Sequence, residues 1–165
     1  MADVVWDASA MIIPVTSPAD KTDADGTNFP VGKVSFDAAT EEHAFVTTKL
    51  VGYGGGDLNI DFEWNAETAT TSTVSWEITI YALTDGDAQS IETKSGGTVK
   101  NVTTAATNST AKGPNNDTIA MTTSGEKNSA ASDDIIWIRV ARDVADGGDL
   151  MSGDANLTHL HLNYS

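Results

Sequence analysis

From Leu58 to Trp64, and again from Val74 to Ile80, the bulky apolar residues fall on every second position: Leu58, Ile60, Phe62, Trp64, then Val74, Trp76, Ile78, Ile80. Period two marks a strand with one wet face and one buried face. Phe36 and Phe45 add bulk ahead of these runs. Gly54-Gly55-Gly56-Asp57 and Thr84-Asp85-Gly86-Asp87 supply the turns, and Asp-Gly is a hairpin signal. No apolar stripe of helical period and no solenoid repeat interrupts the pattern. The spacing predicts strands over 33–37, 42–50, 57–65, 72–83, 89–94, 98–104, 117–123, 134–142 and 155–164, with one helical turn over 126–133. In the strand around Trp137, Ile136, Ile138 and Val140 share one face while Ile135 and Trp137 share the other, which suits a central strand.

A chain of 165 residues fits one domain able to bury a core without cross-links. Many short strands with regular turns point to an all-β antiparallel sandwich, best a jelly roll of about eight core strands, with an immunoglobulin-like sandwich second. Residues 1–31 differ from the rest. Val4, Val5 and Trp6, then Met11, Ile12 and Ile13, are short apolar patches broken by Pro14, Pro18 and Pro30. They read as an extended N-terminal arm and loop that reaches a neighbour, or as an edge strand plus loop. The sandwich then occupies residues 32–165.

Acidic residues outnumber basic ones 24 to 9, for a net charge of −15. That disfavours nucleic acid and anionic membrane as partners. No run approaches ~18 apolar residues, the length of a membrane span, and the start lacks the basic region of a Sec-type signal. Cysteine is absent, which removes disulfides, thiolate metal sites and a Cys nucleophile. G-x-S-x-G, Walker and H-E-x-x-H motifs are also absent. Asp23-Ala24-Asp25-Gly26-Thr27 spells the phosphotransfer motif of haloacid-dehalogenase-like enzymes, but no apolar strand precedes it, so it reads as a turn. The chain is therefore expected not to be an enzyme.

Three features could hold ligands. Asp143, Asp146, Asp149 and Asp154 sit in a Gly-rich loop and offer hard oxygens to calcium, as do Asp20, Asp23, Asp25 and Asn28. His159 and His161 share a strand face and could bind a metal with a third ligand, His43 being the remaining histidine, although surface histidines are the simpler reading. Trp6, Trp64, Trp76 and Trp137 could stack on sugars if exposed, but three lie in strongly periodic strands and are expected in the core.

The segment FDAATEEHAF…KLVGYGGGDLNIDFEWNAETATTSTVSWEITI, followed by IIWIRVARD…DLMSGDANLTHLHLNY, resembles a jelly-roll domain of tailed-bacteriophage virion proteins, of head decoration (cement) or tail and fibre-tip type. The likeness covers residues 32–165 and rests on the turn Gly52–Gly56, the W-x-A-x-x-A-T segment from Trp64, the strand Val74-Ser75-Trp76, and Arg139 to Asp154. Val51 stands where the pattern often has Pro, a departure confined to a turn. The resemblance implies a homotrimer with no catalytic residues, made in the host cytoplasm and placed on the outer capsid surface. There it would bind the major capsid protein and stabilise capsomer contacts through the arm, Val4, Val5, Trp6, Met11, Ile12 and Ile13. The alternative expectation is a receptor- or carbohydrate-binding module of a tail, fibre or cell-surface protein. Such a module needs an exposed aromatic groove or a calcium-organised loop.

Overall fold

Ten strands build two antiparallel sheets in the computed structural model, which describes residues 2–165. They are β1 (Ala2–Asp7), β2 (Asp20–Asp25), β3 (Pro30–Phe36), β4 (His43–Lys49), β5 (Leu58–Ala66), β6 (Thr73–Leu83), β7 (Lys100–Ala105), β8 (Asn115–Met121), β9 (Ile135–Arg142) and β10 (Ala155–Tyr164). The larger sheet runs β2-β3-β10-β5-β8, with β1 also paired to β10, and the smaller runs β4-β9-β6-β7. This is the jelly-roll sandwich that the alternation implies.

β10 is the spine of the larger sheet. One edge is shared end to end: Ala155–Leu157 pair with β3, and residues 159–164 pair with β1. The other edge pairs with β5, with a register shift between Leu157 and His159. That shift resolves an irregularity in the sequence. Leu157 and Leu160 are three apart, yet both are fully buried, because the extra residue Thr158 resets the phase. Beyond it the faces separate cleanly, with Leu160, Leu162 and Tyr164 inward and His159, His161 and Asn163 outward.

The inner faces meet around Trp76. Its ring lies 5.2 Å from Phe36, 5.6 Å from Phe62 and 6.0 Å from Trp64, all edge-on. Phe36, Phe62 and Trp64 come from the larger sheet and Trp76 from the smaller, so this cluster joins the layers. Edge-to-face pairs add roughly 0.5–1.5 kcal/mol each beyond the area they bury.

The N-terminal segment is not a free arm but part of the sandwich. β1 lies along β10, and Trp6 and Met11 are buried. Residues 11–19 then bond to the edge of β4, through Ile12 with Phe45 and Ser17 and Ala19 with His43. β2 forms where a loop was expected: DKTDAD is polar on both faces, so a hairpin edge strand left no alternation to read. Conversely, 89–94 forms no strand; Ile91 is its single bulky apolar residue and is exposed. Residues 124–129 make a compact turn rather than a helical one, with Asn128 and Ser129 at positive φ.

Deleting Thr158 should remove the register shift and leave the faces as they are, since Leu157 already pairs with Trp64 and His159 with the next residue, Glu63, so that His159 stays outward and Leu160 and Leu162 inward. Deleting Thr158 and His159 together should instead place Leu160 next to Leu157, turning Leu160 and Leu162 toward water and His161 inward. Each exposed Leu costs roughly 1.5–3 kcal/mol, so the double deletion should abolish the cooperative melt followed by circular dichroism, while the single deletion keeps one. Thr158→Ala should change stability by about 1 kcal/mol or less. A double-deletion variant that melts like the parent would refute this account of β10.

Candidate functional site

The outer face of the smaller sheet carries the exposed aromatics. In β4, Ala44 and Val46 point inward, so Phe45 points out. In β6, Ile78 and Ile80 point inward and Tyr81 out. In β9, Ile136 and Ile138 point inward and Trp137 out. Pairing then aligns Thr47, Trp137 and Tyr81 in one cross-strand row, and Ile12, Phe45, Arg139 and Thr79 in the next. Residues opposite each other in such a row are in side-chain contact range. Phe45 and Tyr81 have ring centroids 6.2 Å apart at 47°. All three aromatics are half-buried.

The chain between β6 and β7 rises over this floor and makes a wall. Gly97 N–H bonds Ile80 O at 2.7 Å, bringing the segment back to the β6 edge. Gly96 presses on the floor so closely that a Cβ there would stand 2.6 Å from Thr79 Cγ2 and 3.0 Å from the Tyr81 ring. Ile91, Glu92 and Lys94 complete a cleft of about 390 Å³ over Phe45, Tyr81 and Trp137. Burial raises the Tyr81 hydroxyl pKa, so the group stays a neutral donor. Beside the cleft, Arg139 pairs with Glu77, and burial pushes the guanidinium pKa down while Glu41 pushes it up. Arg139 Nε is buried without a hydrogen-bond partner among the described residues.

Trp137 is thus the partly exposed tryptophan, while Trp6, Trp64 and Trp76 are buried. The sequence pattern puts Trp137 among the tryptophans expected in the core, marks Phe45 only as bulk ahead of the periodic runs, and passes over Tyr81. Their phase against Ala44, Val46, Ile78 and Ile80 was the available signal.

The acidic loop is held together by a cation of the protein itself. Arg142, fully buried, has five N–H donors and five acceptors. Nε and Nη2 grip the two oxygens of Asp149 at 2.9 and 2.7 Å, Nη1 reaches Gly153 O at 2.8 Å and Phe36 O at 3.4 Å, and Nη2 also meets Met151 O. Ser75 N–H donates to Asp149 as well. Asp143 accepts from Ala145 N, Asp146 N and Asn101, and Asp146 accepts from Gly148 N. The expected calcium set Asp143, Asp146, Asp149 and Asp154 therefore does not converge, since its most buried member is spent on Arg142. Asp20 and Asp23 lie three apart on β2 and so face opposite ways; the Asp25 side chain lies outside the described residues. Among the described residues, no group of three His, Cys, Asp or Glu is placed to hold a metal ion.

The histidines separate too. His43 lies on the smaller sheet, 2.8 Å from Glu41. His159 and His161 lie on the larger sheet, His159 against Glu63 at 3.3 Å and His161 between Asp3 and Asp61 at 3.4 Å each. The six arm residues divide as well. Trp6 and Met11 are buried, Val4 and Ile13 pack on the core, and Val5 and Ile12 are exposed at 61% and 50% on different sheets.

No protein-family model and no curated protein sequence matches the chain. Solved structures do match over its whole length. One is the CBM36-1 domain of a multidomain xylanase from the hindgut metagenome of Trinervitermes trinervoides, with TM-score 0.55, 11% identity, and 99% of this chain and 98% of that chain covered. Another is CBM35 from Cellvibrio japonicus Abf62, with TM-score 0.56, 10% identity, and 98% and 93% covered. A third is the carbohydrate-binding module CBM36 in complex with calcium and xylotriose, with TM-score 0.52, 18% identity, and 97% and 99% covered. At these identities the likeness shows a common fold.

The wall of the cleft depends on the turn between β8 and β9. Asn128 accepts from Ala82 N and donates to Ser95 O. Glu126 organises that turn, accepting from Thr122 N at 2.8 Å, Thr123 N at 3.0 Å and Lys100 Nζ at 2.8 Å. The Lys100 ammonium and the two backbone amides lower its pKa from 4.5 to about 2. A carboxyl with a depressed folded-state pKa contributes stability above its unfolded value and loses it on acidification. The melting temperature should therefore fall as pH drops from 4.5 toward 2. Glu126→Gln should lower it at neutral pH and flatten that fall; an unchanged acid limb in the variant would exclude Glu126 as a contributor.

Proposed function

We propose that the protein is a non-catalytic carbohydrate-binding domain whose aromatic shelf takes the flat face of an uncharged polysaccharide. One observation carries the reading: Phe45, Tyr81 and Trp137 lie half-exposed around one cleft on a sandwich of the fold that carbohydrate-binding modules use. Aromatic faces suit the C–H face of a pyranose, and the Tyr hydroxyl and nearby charged groups suit its hydroxyls.

Charge selects the ligand class. All nine basic residues have partners inside the protein. Lys33, Lys49, Lys94, Lys100, Lys112, Arg139 and Arg142 pair with carboxylates, while Lys21 and Lys127 hold backbone carbonyls. Lys94, on the cleft wall, is engaged by Asp87 at 3.2 Å. A uronate or sulfate would meet a chain of net charge −15 with no spare Lys or Arg among the described residues. Calcium has no part in this reading.

Affinity electrophoresis in xylan, mixed-linkage glucan and polygalacturonate tests it. Retardation is expected in one or both neutral polymers and not in the uronate. Trp137→Ala and Tyr81→Ala should each weaken binding at least about tenfold, or ~1.4 kcal/mol. Binding that survives both substitutions would refute the shelf.

A second reading, protein docking in a virion, is favoured by one feature: Ile12, bridged to Phe45, and Val15, three residues on, are exposed apolar side chains. Under it, the patch would be covered in a homotrimer or against a capsid protein. Light scattering should then give about three times 17.3 kDa, reduced to one chain by Ile12→Asp. A monomeric parent would count against the trimer.

A further inference from the structure

We propose that the seam between β1, β3 and β10, on the larger sheet, is a second sugar site for an uncharged pyranose with vicinal hydroxyls. This site goes beyond the shelf and stands apart from it. A cleft of about 500 Å³ opens where β1 leaves β10 and the β2–β3 hairpin comes alongside, bordered by Asp7, Ser9, Asp23, Phe29, Gly32 and His159. That size lies within the range of small-ligand pockets.

The side chains have the chemistry of a sugar site. Phe29 closes the hairpin turn, where Gly26 N–H meets Phe29 O at 3.1 Å, and the residue is 69% exposed. A residue so exposed adds little to the core and offers an apolar face to a ligand. Among the described residues, Asp7 spends only Oδ1 on its own turn, accepting from Ser9 N, the Ser9 hydroxyl and Ala10 N. The Ser9 hydroxyl bond, foremost among these, holds its carboxyl below the usual range. Oδ2 is left to accept from a ligand. His159 brings an imidazole whose Nδ1 faces Glu63 and Thr158.

Gly32 keeps the cleft open. A Cβ there would stand 3.3 Å from Asp23 Oδ1 and 3.6 Å from Ala8 Cβ, so a longer side chain would occupy the space between them. Asp7 and Asp23 can accept from neighbouring hydroxyls of one ring while the ring's C–H face covers Phe29. Two carboxylates and no Lys or Arg among the described lining residues, with the His159 imidazole already facing Glu63, make the site unsuited to an acidic sugar.

The test is an NMR titration of the full chain with xylose, glucose and glucuronate at millimolar concentration. Saturable shifts at Phe29, Gly32 and His159 are expected with xylose or glucose and not with glucuronate. Gly32→Leu should weaken them at least about tenfold, and so should Phe29→Ala, which alters an exposed ring and leaves the fold intact. Trp137→Ala should leave them unchanged. Shifts confined to Tyr81 and Trp137, shifts that persist in Phe29→Ala, or no shift with either neutral sugar would overturn the proposal. Shifts at Phe29 without any at Trp137 would uphold it and count against the shelf.

Discussion

β10 is the constraint on which the rest of the larger sheet depends. It has three neighbours, because β1 and β3 share one of its edges and β5 takes the other. A strand in that position must satisfy two partners along one side that meet it at different levels. The extra residue at Thr158 falls where β3 ends and β1 begins, so one irregularity serves both the change of partner and the change of phase. The inner row beyond it packs on Phe62 and Ile60, and the outer row becomes a polar face of His159, His161, Asp61 and Glu63. The cleft bordered by Phe29 lies at this same irregularity.

The smaller sheet has a different anchor. Arg142 continues the inward phase of Ile138 and Val140 and so arrives in the core beside Trp76. A bare guanidinium there would be strongly destabilising, and removal of one partner from a buried pair typically costs about 3–5 kcal/mol. The loop from Asp143 to Asp154 wraps back to supply Asp149 and two carbonyls, which fixes the loop in place. The pair probes as structure rather than as a ligand site: its charges are consumed internally. The same holds for the other basic residues, and the surface that results is acidic without basic counterweights. Under the proposed reading, ligand preference would follow from that balance of charge as much as from the aromatic floor.

The inward phases of β5, β6 and β9 were readable from alternation alone, and with them the sandwich. β2 was not, because an edge strand with two wet faces leaves no alternation in DKTDAD. β1 and the 11–19 segment were half-readable: apolar patches showed that something was covered, but only pairing shows that β10 and the β4 edge do the covering. The shelf was legible residue by residue and not as a site. Phe45, Tyr81 and Trp137 each stand out of phase with their core neighbours, yet nothing local aligns strands 36 and 56 positions apart, as Phe45–Tyr81 and Tyr81–Trp137 are. The acidic loop misled because four carboxylates near glycines match a calcium loop, while the buried Arg142 that claims Asp149 precedes them in an apolar strand.

The two sheets expose different chemistry for one reason. In a sandwich the inner face is fixed by the core, so only the outer phase of each strand is free to vary. On the smaller sheet that phase places Phe45, Tyr81 and Trp137 on three adjacent strands, and the loop carrying Ile91 and Lys94 encloses them. On the larger sheet the same phase holds carboxylates, histidines and asparagines in registered rows: Asp7–His159–Glu63–Asn116, and Val5–His161–Asp61–Thr118. An apolar platform binds by covering area, and a polar lattice binds by matching hydroxyl positions. Under the proposed reading, a domain with both would present a chain-like ligand with a broad surface on one side and a narrow, direction-sensitive one on the other. Contact at two sites linked through one rigid core multiplies weak affinities through effective concentration, provided that the ligand, or a surface made of many copies of it, reaches both.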